Sequence, residues 1–485
     1  MKMAAVNPFL PSYEYIPDAE PYVFEDRVYI YGSHDRFDGD DFCMNDYVCW
    51  SAPVNDLGAW RKEGTIYRAV QDPLNADGRQ HLFAPDVQKG EDGKYYLFYC
   101  LHMSPTVSVA VCDTPAGEYH FYGHIRYADG TLYGEKENDV FNFDPGVLRD
   151  DDGRIYLYTG ISHPMDAPLR KYLKGFYQID GSYCVELEKD MLTLKSEPVL
   201  TVPGEVCAKG SGFEGHSFFE ASSPRKIGGK YYLIYSSEKS HDLCYAISDS
   251  PTKGFQYGGV IISIGDIGIV KEDQARNYLG NTHGGVVEIG GQWYVFYHRH
   301  TNQCRNCRQM CAEKIEIADN GSIDQVEVTS DGLNDGPLSG QGRYEARIAC
   351  NLSSAEGTFM YQKDKPAEEG IHPYFTQDGE DREDNPNQYI ANIHDGAWAG
   401  FKYFDLCSSE GKMKVCVRGN AEGEFWVRTE KDGKVRAVIP IHPSADWQVE
   451  EGAYQMPQGV NALYFCYQGT GRMDWLWFEM EERKE

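Results

Sequence analysis
The chain has 485 residues, 41% of them apolar, enough for one large all-β unit and a smaller one. Acidic residues outnumber basic ones 75 to 46, a net charge of −29, and such a surface repels nucleic-acid phosphates and anionic bilayers alike. No stretch approaches the roughly 20 apolar residues of a membrane span, so neutral ligands remain.

Tyr, Phe and Trp make up 13% of the chain, beside 50 Gly and 23 Pro. Many aromatics with many turn formers predict short strands and tight turns, an all-β chain. Met1–Pro8 holds no apolar signal region. The 14 cysteines show no framework spacing. The chain is therefore expected in the cytoplasm with reduced thiols.

In chain order, one pattern recurs five times: a turn pair, a polar residue, then an aromatic strand closing on Tyr. It begins with Glu25-Asp26-Arg27-Val28-Tyr29-Ile30-Tyr31 and Asp92-Gly93-Lys94-Tyr95-Tyr96-Leu97-Phe98-Tyr99. Asp152–Tyr158, Gly228–Tyr235 and Gly290–Tyr297 complete the series. The closing tyrosines lie 68, 59, 77 and 62 residues apart. That spacing suits a four-stranded blade and predicts a five-bladed propeller.

Thirteen to fifteen residues before each closing tyrosine stands an ionisable residue: Asp18, Asp86, Asp144, Glu220 and His283. Equal offsets on innermost strands place all five around one mouth of the central channel. One or two can instead cap turns, Asp86 first among them. Carboxylates gathered in an aromatic hollow are costly without a chemical task. Inverting glycoside hydrolysis uses such a set: one protonated acid, one ionised base, and a neighbour that raises the acid's pKa. Asp18, Asp144 and Glu220 fit that scheme.

Other chemistries find little support. There is no phosphate loop, His-Glu-x-x-His or dinucleotide fingerprint. Cys304, Cys307 and Cys311 lack a second Cys/His pair for zinc.

The segments Tyr15–Pro21, Phe83-Ala84-Pro85-Asp86-Val87, Phe143-Asp144-Pro145-Gly146, Phe219–Pro224 and Asn281-Thr282-His283-Gly284-Gly285 together resemble glycoside hydrolase family 43 over roughly residues 7–330. The resemblance implies a five-bladed propeller that hydrolyses arabinan, arabinoxylan and xylan with inversion. It implies Asp18 as general base, Glu220 as general acid and Asp144 as the group that tunes Glu220. It places Phe83 and Asp86 in the sugar pocket, Arg299 within reach of substrate, and His283 beside an axial cation, often calcium. Glu20 is a rival base and Glu214 a rival acid, both at poorer offsets.

Residues 1–328 are expected to form the propeller, 329–342 a linker and 343–485 a β-sandwich of jelly-roll type. Arg343-Tyr344-Glu345-Ala346 and Asp474–Glu479 resemble carbohydrate-binding module family 6. That likeness implies a structural calcium held by Glu345. The acidic stretch Asp378–Asp384 is expected to be solvated surface.

The expected activity is that of an exo-acting α-L-arabinofuranosidase on hemicellulose-derived oligosaccharides, needing no cofactor for its chemistry. The alternatives are a β-D-xylosidase or endo-arabinanase of the same family, or a sugar-binding propeller without turnover. The expected partner is an oligosaccharide, with no nucleic acid and no membrane; the sequence does not set the oligomeric state.

Overall fold
The computed structural model describes residues 4–164, 167–269, 274–359, 371–383 and 387–482. Five small antiparallel sheets follow one another along the first two thirds of the chain. The first comprises Glu20–Phe24, Arg27–Tyr31, Tyr47–Pro53 and Arg61–Tyr67. The second is Asp86–Lys89, Tyr95–Cys100, Val107–Cys112 and His120–His124. The third is Gly146–Arg149, Ile155–Thr159, Gly181–Leu187 and Val199–Pro203. The fourth is Phe218–Ile227, Lys230–Ser237, Asp242–Ser248 and Gln256–Ser263. The fifth has three strands, Val286–Ile289, Gln292–His300 and Arg308–Ile315. These are the five blades of a propeller, each hairpin falling where the turn pairs predict it.

The repeated tyrosines work between blades. Tyr31, Tyr99, Tyr158, Tyr235 and Tyr297 are all buried. Their hydroxyls donate to Pro115 O, Asp72 Oδ2, Pro251 O, His216 O and Glu313 Oε1, at 2.5–2.9 Å. Each ring fills an apolar seam and each hydroxyl finds an acceptor, so a large aromatic is buried without an orphaned polar atom. The recurring tyrosine is thus a wedge that holds blades together.

Closure of the ring uses a side chain in place of a fourth strand. Asn7 Nδ2 donates to Ala312 O at 2.9 Å, and Ala312 N donates to Asn7 Oδ1 at 3.0 Å. The carboxamide thereby satisfies an otherwise open strand edge.

The remaining strands form one 12-stranded sheet. It curls around a core that includes Phe401, Phe465, Trp475 and Phe478. The two layers expected of a sandwich are therefore continuous through hydrogen-bonded strands. The segment expected as linker is packed: Ser330 N and Asp331 N donate to Lys402 O, and Leu338–Ser339 pairs with Trp398–Leu406.

This second sheet also grips the propeller. Buried Lys402 donates to Asp266 Oδ2 at 3.0 Å and Glu327 Oε2 at 2.9 Å. Tyr15 Oη donates to Gln377 Oε1 at 2.6 Å, and Asn302 N to Phe375 O at 2.7 Å. The acidic stretch takes part as well: Asp381 accepts from Phe37 N at 2.7 Å and from Asn45 Nδ2 at 3.1 Å. The expectation of a merely solvated surface fails at Asp381, while Asp384 lies outside the described residues.

Candidate active site
A cavity of about 520 Å³ opens at one end of the propeller axis. Asp18, Asp144, Glu220, His283 and Phe83 all line it, with Phe143, Phe219, Asn281 and Arg308. Asp18 and Asp144 each stand just before the innermost strand of their blade, with φ of 58° and 46°. Ala221, directly after Glu220, has φ 71°, and the pairing of Phe218–Ile227 slips on both sides of Glu220. Three non-glycine residues in the left-handed region cost energy. Here that backbone turns three carboxylates toward one space, and the irregular register at Glu220 acts as a bulge that re-aims its side chain.

Two glycines allow close backbone approach here, one between the third and fourth blades and one within the fifth. A Cβ on Gly146 would meet Ser222 O at 2.1 Å, and one on Gly284 would meet Phe296 O at 1.8 Å. This is the reason for glycine in Asp144-Pro145-Gly146 and in His283-Gly284.

Asp18 and Asp144 are buried, whereas Glu220 keeps partial exposure to the cavity. Arg308 Nη1 donates to Asp18 Oδ1 at 3.0 Å. The same guanidinium donates to Asp35 at 2.8 and 3.0 Å through Nε and Nη2. Asp18 N donates to His298 Nδ1 at 3.4 Å, while His298 Nε2 lies 2.9 Å from Asn281 O. That pairing puts the imidazole proton on Nε2. Burial and the nearby Arg308 charge hold His298 well below the usual histidine range, so it is neutral.

Glu220 is pushed up to about 8, first by burial and then by the charge of Asp144, against the pull of His283. Asp144 is raised to about 7 by burial, which outweighs the attraction of His283, with Asp18 adding to the rise. His283 has Nδ1 3.6 Å from Asp144 Oδ2 and 4.0 Å from Asp18 Oδ1, and Nε2 3.8 Å from Glu20 Oε1. Burial opposes its protonation, but Glu20, Asp144 and Asp18 outweigh it and raise it to about 9. Arranged this way, the cavity holds a carboxyl group, that of Glu220, which keeps its proton at neutral pH.

Asp86 is a correction. Its Oδ1 accepts from Tyr22 Oη at 2.6 Å and its Oδ2 from Val147 N at 2.6 Å, which ties blades one, two and three together beneath the cavity. The equal offset of 13 misled because the hairpins differ. Phe24 pairs with Arg27 across two residues, whereas Lys89 pairs with Tyr95 across five. Asp86 thus lands three residues deeper than Asp18, and the register-equivalent of Asp18 is Phe83. The rival Glu20 belongs to the same lower layer, bound by Arg225 Nη2 at 2.6 Å. Glu214 is exposed and accepts from Gly210 N and from Gly212 N, well away from the cavity.

Arg299 is a second correction. It donates to Arg347 O at 2.7 Å and to Gln309 Oε1 at 3.0 Å, and stacks on Phe375 at 3.9 Å. It clamps the propeller to the second sheet. Glu345 is exposed and ion-paired with Arg347 at 2.5 Å, and it belongs to no described cluster of His, Cys, Asp or Glu side chains.

Arg308 and Asp35 were missed from sequence. The available signal was an arginine opening the otherwise apolar run Met310-Cys311-Ala312.

A family model described as glycosyl hydrolases family 43 matches residues 6–323. A Thermoclostridium stercorarium protein named xylosidase/arabinosidase is 53% identical over 474 residues, 97% of this chain and 98% of that protein. Among solved structures, a family 43 β-xylosidase/α-arabinofuranosidase from a compost metagenome, in complex with xylotriose and calcium-free, is 26% identical. It superposes with a TM-score of 0.52 over 67% of this chain and 98% of its own. A Bacillus subtilis arabinoxylan arabinofuranohydrolase in complex with cellotetraose shares the fold over 99% of both chains, with a TM-score of 0.51 and 20% identity.

Proposed function
Since the chain belongs to glycosyl hydrolases family 43, we propose that its cavity removes terminal pentose units from hemicellulose-derived oligosaccharides with inversion. The carrying observation is the convergence of Asp18, Asp144 and Glu220 on one cavity, with Glu220 raised to about 8. A carboxyl group raised that far is protonated at neutral pH and can donate to the leaving oxygen. Asp18 takes the proton from water, which attacks the opposite face of the sugar ring. Arg308 keeps Asp18 oriented. Burial holds the proton on Glu220, and the charge of ionised Asp144 adds to it. Phe83, Phe143 and Phe219 give the sugar apolar walls.

Glycoside hydrolysis of this kind needs no cofactor. The axial position does fit a cation: buried Glu20 Oε1 accepts no hydrogen bond and faces His283 Nε2. Glu20 Oε1 would offer a calcium ion one carboxylate oxygen, with water completing its shell. Bound there, calcium would supply positive charge under the carboxylates. Without it, protonated His283 supplies that charge.

We take α-L-arabinofuranoside as the first substrate and β-D-xyloside as the second, because the 53% identical relative carries both activities in its name. The likeness of the second sheet to carbohydrate-binding module family 6 rests on its first and last strands. Its contacts with the pocket-bearing loops support a bracing role. Free thiols throughout favour a reducing compartment.

The test is hydrolysis of p-nitrophenyl α-L-arabinofuranoside and β-D-xyloside by wild type and Asp18→Asn. Cleavage of either, lost in the variant, supports the proposal. Binding of xylo- or arabino-oligosaccharides without cleavage of any would convert the protein to a lectin.

A further inference from the structure
Outside the three carboxylates, at the mouth of the same cavity, stand Asp41, His81 and His102. Their side chains are 34%, 22% and 38% exposed, against 7% for Asp18 and 6% for Asp144. They lie on the solvent side of the proposed chemistry, which does not use them.

The fold sets the two imidazoles side by side. His102 N donates to His81 O at 3.0 Å, and Leu82 bridges Leu101. The rings lie 6.2 Å apart and 23° from parallel. Both present Nδ1 to one oxygen: Asp41 Oδ2 is 3.6 Å from His81 Nδ1 and 3.6 Å from His102 Nδ1. All three ligand atoms fall within 4.8 Å of one another. His81 Nδ1 is buried and has no hydrogen-bond partner.

Zinc bound to nitrogen and oxygen at about 2.0–2.1 Å in tetrahedral geometry needs ligand atoms about 3.3 Å apart. Two of the three separations are within a few tenths of an ångström of that. Two imidazoles and a carboxylate select borderline transition metals over calcium or magnesium. Three protein ligands leave at least one coordination position open. Asp41 and His102 line the cavity, so a metal held by the three would sit at its mouth.

We propose that Asp41, His81 and His102 form a binding site for a divalent transition metal of the zinc class, whose occupation narrows the mouth of the pocket. The site stands independently of the hydrolytic reading; only its effect on turnover rests on that reading.

The test uses the full chain, stripped with chelator and then titrated with Zn²⁺ by calorimetry and with Co²⁺ by visible absorption. One equivalent should bind, with cobalt d–d bands and no thiolate charge-transfer band. Affinity should fall about tenfold or more in His81→Gln and His102→Gln. Asp41→Asn, on an exposed loop, gives the same reading if either histidine variant misfolds. His283→Gln should bind zinc as wild type does. No binding, a thiolate band, unchanged affinity in the mouth variants or loss in His283→Gln would each overturn the site. Zinc should also raise KM for the cleaved glycoside without lowering kcat, in wild type and not in His81→Gln. Equal inhibition of both would overturn the narrowing of the mouth. If neither glycoside is cleaved, the binding arms still decide the metal site.

Discussion
Two layers of buried acids lie along one axis, with similar residues and different electrostatics. In the upper layer Asp18, Asp144 and Glu220 face a cavity, and burial with mutual repulsion raises Glu220 and Asp144. In the lower layer Glu20 is sealed against Arg225, with Ser223 Oγ donating to Glu20 Oε2 at 3.0 Å. There, although burial raises it, the guanidinium and His283 win and Glu20 is lowered. Burial disfavours charge in both layers: it also raises Asp86 of the lower layer to about 7, while at Glu20 the charges of Arg225 and His283 outweigh it. Glu20, gripped by Arg225 and shut off from the cavity, is a fastener. Carboxylates left facing one another over a cavity keep a proton available.

The widest separation of the two layers is in turnover. Glu220→Gln should cut kcat/KM by about 10²–10⁴-fold or more, the share of general acid catalysis, with the melting temperature near that of wild type. Asp86→Asn should do the reverse. Replacing one oxygen by an NH₂ turns a donor toward Val147 N or Tyr22 Oη. Stability should fall by about 1–3 kcal/mol, while kcat in the folded fraction stays within a few-fold. Steady-state kinetics with thermal melts on both variants check this. A large kcat loss in Asp86→Asn would erase the distinction.

Next in size is Arg225→Met. It strips Glu20 of its guanidinium and leaves a buried charge, which should cost about 3–5 kcal/mol, read by urea denaturation. A cost near zero would mean that the lower layer is not held by this pair.

Smaller still is Asp381→Ala. It removes the acceptors for Phe37 N and Asn45 Nδ2 and loosens the loop that carries Asp41 and Phe42 to the cavity. KM should rise several-fold with kcat little changed. An unchanged KM would limit the second sheet to stability alone.

Much of this was legible in the sequence. Five hairpin openings with closing tyrosines announced the blades, because turn chemistry and aromatic burial are local. The offset that groups Asp18, Asp144, Glu220 and His283 matches their meeting at one cavity, because each stands at or just before an innermost strand. Asp86 was misplaced because an offset counts loop residues that register does not. Arg299 and Arg308 exchanged roles for a tertiary reason: nine residues apart, one faces the second sheet and the other the axis. No spacing rule distinguishes them. The grip of Asp381 on blade one joins residues more than 330 positions apart, beyond any local pattern.

The account turns on Asp144 helping burial to hold a proton on Glu220. The most direct measurement is the pH dependence of kcat/KM in wild type and Asp144→Asn. Activity needs Glu220 protonated, so wild type should lose it as pH rises through about 8. Removing the negative charge of Asp144 makes ionisation of Glu220 easier, so the basic limb should move to lower pH in the variant. A limb that stays in place, or moves upward, would contradict the assignment of Asp144.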